Sequence, residues 1–154
     1  KNRILSFFNP SDGTHNFQSD KAIDAISSGG YFGKGIGEGT LKNRVPEAHT
    51  DYIISVIAEE FGVVVIMLLL ILFLFFIYTV FQKIYLEKSE KIKLVLTGTM
   101  CLIIFQALIH IGVNIRLFPT TGMTLPFLSY GGSSIVGVSI LSGIILNLTK
   151  RKIN

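Results

Sequence analysis

The sequence predicts an all-α membrane protein in which a long polar segment is followed by three transmembrane helices. Of its 154 residues, 49% are hydrophobic and only 16% are charged, and the apolar excess is concentrated in long stretches. Those stretches are residues 63–85, 94–115 and 127–149. Each is long enough to cross a hydrocarbon core of roughly 30 Å at about 1.5 Å per residue.

Residues 1–62 are predicted to form a large loop outside the membrane that contains short amphipathic helices. Apolar residues recur near the helical period over residues 17–28, which predicts a short helix lying flat at an interface. The glycines from Gly29 to Gly39 then predict an irregular turn whose backbone approaches other groups closely. Their spacing fits neither a Walker loop nor a dinucleotide fingerprint, so no nucleotide cofactor is predicted.

Ionisable residues crowd the stretch just before the first membrane segment. If a helix begins at Pro46, four polar residues fall one turn apart on one face, namely Glu47, Asp51, Ser55 and Glu59. Alternatively, Thr50 or Asp51 caps a helix that begins later, and both interpretations stay open. His49 lies within the same stretch. Because ionisable groups are costly to keep at a membrane edge, this cluster predicts a functional site.

Lysine and arginine set the expected orientation of the helices. The loop at residues 86–93 contains three lysines, and the tail at residues 150–154 contains two lysines and one arginine. Both are therefore predicted to be cytoplasmic. The loop at residues 116–126 and the segment 1–62 then face the exterior. The formal charge of +4 therefore reflects topology, and no nucleic-acid partner is predicted.

The second membrane segment carries polar residues at helical spacing. Gln106, His110 and Asn114 lie four residues apart, and a polar stripe in lipid must face protein or a water-filled cavity. The stripe either bonds to neighbouring helices or touches a substrate. Arg116, at the end of the segment, is a candidate partner for a phosphate group, or it reaches the interface by snorkelling.

Two long motifs resemble the SEDS family (shape, elongation, division and sporulation). The run PEAHTDY at residues 46–52, with EEFG at 59–62, resembles the signature loop of that family, and GMTLPFLSYGGSS at 122–134 resembles its C-terminal motif. Further family positions recur in the same order at residues 3–10 and 28–35. The likeness covers nearly the whole chain and is greater to the division branch than to the elongation branch.

The resemblance implies a bacterial inner-membrane protein of about ten helices, of which this chain would contain the last three. It implies peptidoglycan glycosyltransfer, the polymerisation of lipid II into glycan strands at the periplasmic face. Asp51 matches the family's essential aspartate and would act as general base, with Glu47 and His49 in support. Cations would stabilise the leaving pyrophosphate, and the candidates are Arg3, Lys34, Lys42 and Arg44.

The resemblance also suggests cofactors and partners. A divalent cation, Mg²⁺ or Mn²⁺, could be held by Glu47, His49 and Asp51. The expected partners are lipid II, the lipid bilayer, a class B penicillin-binding protein and other division proteins. Two other functions stay open, a lipid II flippase and a non-catalytic scaffold for the transpeptidase. A flippase needs ionisable groups near the bilayer midplane, whereas here they lie at the end of a membrane segment.

Overall fold

The structure, a computed structural model, describes residues 13–41, 45 and 48–150. This part of the chain contains α-helices and no strand. The helices are α1 (Gly13–Gly29), α2 (Ile53–Leu86), α3 (Glu90–Asn114) and α4 (Gly132–Thr149). Helices α2, α3 and α4 are long and apolar enough to cross a membrane. The predicted fold class, an all-α protein with three membrane-spanning helices, is confirmed.

Helices α2 and α3 begin earlier than the predicted apolar segments, at Ile53 and Glu90, and the starts of α1 and α4 also differ from the predicted ones. The amphipathic helix α1 begins at Gly13, earlier than residue 17, and it packs against α2. The third membrane segment was expected from residue 127, but α4 begins only at Gly132. Phe127 has a φ angle of 69°, in the left-handed region, and one such residue cannot continue a right-handed helix. The residues around it therefore form a turn.

Of the two interpretations left open for the start of α2, the helix from Pro46 is wrong over the part of it that the structure describes. Residues 48–52 form turns, and α2 begins at Ile53 with Tyr52 at its N-cap position. The polar face of Glu47, Asp51, Ser55 and Glu59 therefore does not exist as one helical face. The alternative, a helix that begins later, is correct about the start of the helix but not about the identity of the residue at the N-cap.

Helix α2 is broken at Gly62, where φ is 81° and ψ is 177°. In an intact helix, the N–H groups of Val63 and Val64 would donate to the carbonyls of Glu59 and Glu60. Here the glycine-rich turn inserts between them. The N–H groups of Lys34 and Gly35 donate to those two carbonyls, at 2.9 and 3.0 Å.

The same turn also satisfies the other side of the break. The N–H of Val63 donates to the Gly30 carbonyl at 3.0 Å, and that of Val64 donates to the Tyr31 carbonyl at 3.3 Å. The turn thus replaces two lost helical hydrogen bonds with four hydrogen bonds between its own backbone and the backbone of α2. Such pairing is required because unpaired backbone groups are costly in an apolar environment.

Close backbone contact between the turn and the break explains why glycines are needed there. A Cβ atom added to Gly33 would lie 2.2 Å from the Glu60 carbonyl oxygen. One added to Gly62 would lie 2.3 Å from the Tyr31 carbonyl oxygen. Both residues also have positive φ angles, which glycine adopts without strain. The predicted close approach of the glycine-rich turn to other backbone groups is confirmed.

Two hydrophobic clusters stabilise the arrangement. One lies where α1 and the start of α2 meet the end of α3, and it contains Ala22, Ala25, Leu41, Val45, Ala48, Tyr52, Val56 and Val113. The other lies where the far end of α2 meets α3 and α4, and it contains Val80, Ile84, Leu96, Met100, Ile103 and Ile145. The first cluster lies directly beneath the turn that carries Asp51.

A pair of glycine substitutions tests the close contact at the break. Gly33→Ala should destabilise the full-length protein in detergent far more than Gly30→Ala, as measured by thermal denaturation. Both residues have positive φ, so each alanine costs about 1–2 kcal/mol of backbone strain. Only at Gly33 would the new Cβ also overlap the backbone of α2, since nothing lies within 4 Å of a Cβ at Gly30. Equal losses for the two variants would contradict this account.

Candidate functional site

Asp51 lies on the turn that precedes α2, and α3 holds the main chain of that turn. The side chain of Asn114 donates through Nδ2 to the carbonyl oxygen of Asp51 at 2.9 Å. The Nε2 atom of His110 lies 3.1 Å from the carbonyl oxygen of Thr50. Asp51 itself is only 6% exposed. The turn is therefore placed by hydrogen bonds from a membrane helix to its backbone.

Asn114 connects the turn to the first residues of α2. Its Oδ1 atom accepts hydrogen bonds from the N–H of Ser55 at 3.2 Å and from the Ser55 hydroxyl at 2.8 Å. Its Nδ2 atom also donates to the carbonyl of His110 at 2.9 Å. Because Asn114 is 1% exposed, these bonds replace those that water would otherwise make.

The loop between α3 and α4 closes on the same turn. The hydroxyl of Ser129 donates to the Thr50 carbonyl at 3.0 Å and accepts from the N–H of Leu125 at 2.8 Å. The N–H of Tyr130 donates to the carbonyl of His49 at 3.3 Å. The Asp51 turn is thus held from two sides, by a membrane helix and by the loop that follows it.

All three members of the polar stripe on α3 bond to the protein backbone. Gln106 donates through Nε2 to the Thr124 carbonyl at 2.9 Å, whereas His110 and Asn114 contact the Asp51 turn. Of the two interpretations of the stripe, the structure supports bonding to neighbouring segments. The stripe therefore organises the loops at one end of the helices.

The structure places only some of the candidate residues near one another. His49 and Asp51 share one turn, with His49 exposed and Asp51 buried. Four further candidates lie outside the described residues, namely Arg3, Lys42, Arg44 and Glu47. Within the described part of the chain, no three His, Cys, Asp or Glu residues form a metal-binding group. Metal binding by Glu47, His49 and Asp51 therefore stays a prediction.

Lys34 is engaged by a buried carboxylate. Its Nζ atom lies 3.0 Å from Oε1 of Glu59, and the hydroxyl of Thr40 donates to the same oxygen at 3.0 Å. The N–H of Leu41 donates to Oε2 at 2.9 Å. An ammonium group and two further donors favour the ionised carboxylate. Glu59 thus anchors the glycine-rich turn to α2.

Arg116 also has an acidic partner. Its guanidinium group forms an ion pair with the carboxylate of Asp20 on α1. Both side chains are partly exposed, and Arg116 has a φ angle of 60°. The pair ties α1 to the end of α3. Contact of Arg116 or Lys34 with a phosphate group stays a prediction, and it would require each cation to share or exchange its partner.

Ser129 and Ser55 are site residues that the sequence did not reveal as such. Ser129 lies in a run of small residues of the kind that favours close helix packing, yet its hydroxyl holds the Asp51 turn. Ser55 was placed on a helical face with Asp51, whereas it bonds to Asn114 across the helix pair. The available signal was the position of Ser129 inside a long family motif.

These features define a class of protein: an integral membrane protein that holds a buried carboxylate on a turn at one end of its spanning helices. The chain belongs to the FtsW/RodA/SpoVE family. The sequence model of that family, described as "Cell cycle protein", matches residues 1–154. The family predicted from the motifs is confirmed.

Individual relatives agree with this assignment. The chain is 40% identical to a protein of Caulobacter vibrioides over 97% of this chain and 38% of that protein. It is 39% identical to one of Enterococcus hirae over 98% of this chain and 39% of that protein. Both are named "Probable peptidoglycan glycosyltransferase FtsW". The chain therefore spans about two fifths of the length of these relatives.

A solved structure shares the fold. It is a chain from a study titled "Structural coordination of polymerization and crosslinking by a peptidoglycan synthase complex". The two chains superimpose with a TM-score of 0.73 at 29% sequence identity, over 96% of this chain and 40% of that one. The arrangement of the helices is thus shared with that chain.

Replacing the Asn114 amide tests how the Asp51 turn is held. Asn114→Leu removes hydrogen bonds from buried groups of Asp51 and Ser55, and each buried group left unpaired costs about 1–3 kcal/mol. We expect a lower denaturation temperature for the full-length protein in detergent. Asn147→Leu is the matched control because Asn147 is exposed on α4. If the two variants denature at the same temperature, Asn114 does not hold the turn.

Proposed function

We propose that this chain carries the catalytic carboxylate of a peptidoglycan glycosyltransferase that polymerises lipid II during cell division. The observation that carries the proposal is the position of Asp51. It lies on a turn pinned by α3 and by the Ser129 loop, just before a helix long and apolar enough to span a membrane. The names of the relatives support the same activity.

In this proposal Asp51 acts as the general base. Its carboxylate takes the proton from the 4-hydroxyl of the acceptor sugar while that oxygen attacks the anomeric carbon of the donor. The bond from that carbon to undecaprenyl pyrophosphate breaks, and the configuration inverts in a single displacement. The backbone bonds from Asn114 and Ser129 would keep the carboxylate in position, which lowers the entropic cost of reaching the reactive geometry.

Cations would stabilise the charge that develops on the pyrophosphate. Lys34 is bound to Glu59 and Arg116 to Asp20, so neither is an uncommitted positive charge. Arg3, Lys42 and Arg44, in the sequence segment before α2, are the other candidate cations.

A divalent cation is part of the proposal. Mg²⁺ is commonly held by one or two carboxylates together with substrate phosphates, so it does not require a cluster of three protein ligands. Asp51 and Glu47 offer the carboxylate oxygens that suit Mg²⁺ and Mn²⁺, and His49 is the third candidate ligand. When bound, such an ion would neutralise charge on the pyrophosphate.

The proposed setting is the bacterial cytoplasmic membrane, with Asp51 on the periplasmic side. The basic loop and tail at the opposite ends of the helices support this orientation. A class B penicillin-binding protein is the proposed partner, with other division proteins. The related structure supports a partner of this kind, because its title describes coordinated polymerisation and crosslinking.

Exchange of the Asp51 carboxylate for an amide tests the proposal. Asp51→Asn should abolish glycan polymerisation by the full-length protein with its partner, because an amide cannot accept the acceptor's proton. General-base catalysis contributes roughly 100- to 10,000-fold, so the rate of polymerisation from lipid II should fall by that range. Lipid II scrambling across proteoliposomes is measured in parallel.

Asp24→Asn is the matched control for this experiment. Asp24 is an exposed carboxylate on α1 that pairs with Lys21, so its exchange should leave polymerisation unchanged. Polymerisation that survives Asp51→Asn while scrambling is lost would identify a flippase instead. Survival of both activities would leave a scaffold role for the chain.

A further inference from the structure

Two large aromatic side chains lie in the tip of the glycine-rich turn. We define the tip as residues 30–33. Tyr31 is 77% exposed and Phe32 is 86% exposed. Isolated apolar residues on a surface need no explanation, but two adjacent aromatic rings on a tight turn form a patch that calls for a partner. Neither ring contributes to the hydrophobic clusters that hold the helices together.

The depth of this tip is set by its bonds to α2. The carbonyls of Gly30 and Tyr31 accept from the N–H groups of Val63 and Val64, so the tip lies beside the first residues of the membrane span. The uncharged run from Val63 to Gln82 covers about 30 Å at about 1.5 Å per residue, which equals the hydrocarbon thickness. Val63 is therefore at the boundary of the hydrocarbon core, and so is the tip.

The chemistry of the tip suits that depth. It carries no charge, and the adjacent Lys34 is bound to Glu59. The backbone of the tip bonds to that of α2 at Val63 and Val64, and apolar side chains on this part of α2 are themselves exposed, Val64 at 52% and Leu68 at 57%. Aromatic rings with one polar and one apolar end are favoured at the headgroup level of bilayers. The patch thus continues an exposed apolar surface at the start of the membrane span of α2.

We propose that Tyr31 and Phe32 insert into the interfacial layer of the lipid bilayer. There the Phe32 ring contacts the upper part of the acyl chains, and the Tyr31 hydroxyl remains among the headgroups. The insertion anchors the glycine-rich turn, and with it the break at Gly62, at a defined depth. This role is independent of the glycosyltransferase activity, since it depends only on the spanning helix and the turn.

Spin labels on the tip test the insertion directly. The full-length protein, with Cys101 and any other native cysteines replaced, is labelled after Phe32→Cys or Tyr31→Cys and reconstituted in nanodiscs of phosphatidylcholine and phosphatidylglycerol. Relaxation of each label by oxygen, which concentrates in lipid, is compared with relaxation by a water-soluble nickel chelate. We expect the oxygen-to-nickel ratio at residues 31 and 32 to exceed, by severalfold, the ratio for a label in water.

Two reference sites make the result decisive. Leu72→Cys reports an exposed apolar position in the middle of the membrane span of α2, and Glu38→Cys reports an exposed, charged position in the glycine-rich segment that follows the tip. Ratios at residues 31 and 32 that match that of residue 38 would show that the tip lies in water. Protection from both relaxing agents would show that protein covers the tip. Either result would overturn the proposal, and since both rings are exposed, their replacement removes little internal packing.

Discussion

Backbone polar groups at or within the hydrocarbon core of a membrane must find partners inside the protein, because the core holds no water. The break at Gly62 shows the consequence. It separates two amides from two carbonyls of α2, and the glycine-rich turn supplies a partner for each of the four groups. The backbones of the turn and of α2 must be in direct contact for these hydrogen bonds to form. A side chain larger than hydrogen at Gly33 or Gly62 would prevent that contact. The glycines are therefore a requirement of hydrogen bonding rather than a phosphate-binding device.

The same constraint shapes the candidate active site. The start of α2 offers carbonyls at Thr50 and Asp51 and an N–H at Ser55 that are not paired within a helix, and Asn114 with its neighbours on α3 satisfies them. These bonds reach the main chain of the turn, not the carboxylate. The position of the turn is therefore specified by polar side chains within a spanning helix, where each one must have a partner.

Sequence reasoning could identify the membrane spans, because long apolar runs have few other interpretations, and the family motifs identified Asp51 as the candidate carboxylate. It left the start of α2 open between two interpretations. The four-residue spacing of Glu47, Asp51 and Ser55 resembles a helical face, yet tertiary bonds from α3 keep residues 48–52 in turns. The role of Ser129 was equally hidden, because a small residue suited to helix packing can also donate a hydrogen bond across a loop. Contacts between distant segments decided both cases, and local periodicity cannot report them.

The first part of α2, between Ile53 and the break at Gly62, is fixed at both ends. Asn114 holds its beginning through Ser55, and the glycine-rich turn holds its end through the backbone of Glu59 and Glu60. The carboxylate of Glu59 adds a third attachment, to Lys34 and to the chain at residues 40–41. A segment held in this way cannot tilt or rotate without breaking buried polar bonds, each of which is costly to lose. The break in the helix therefore contributes to the site. It lets the glycine-rich turn hold the short helical segment that follows the Asp51 turn.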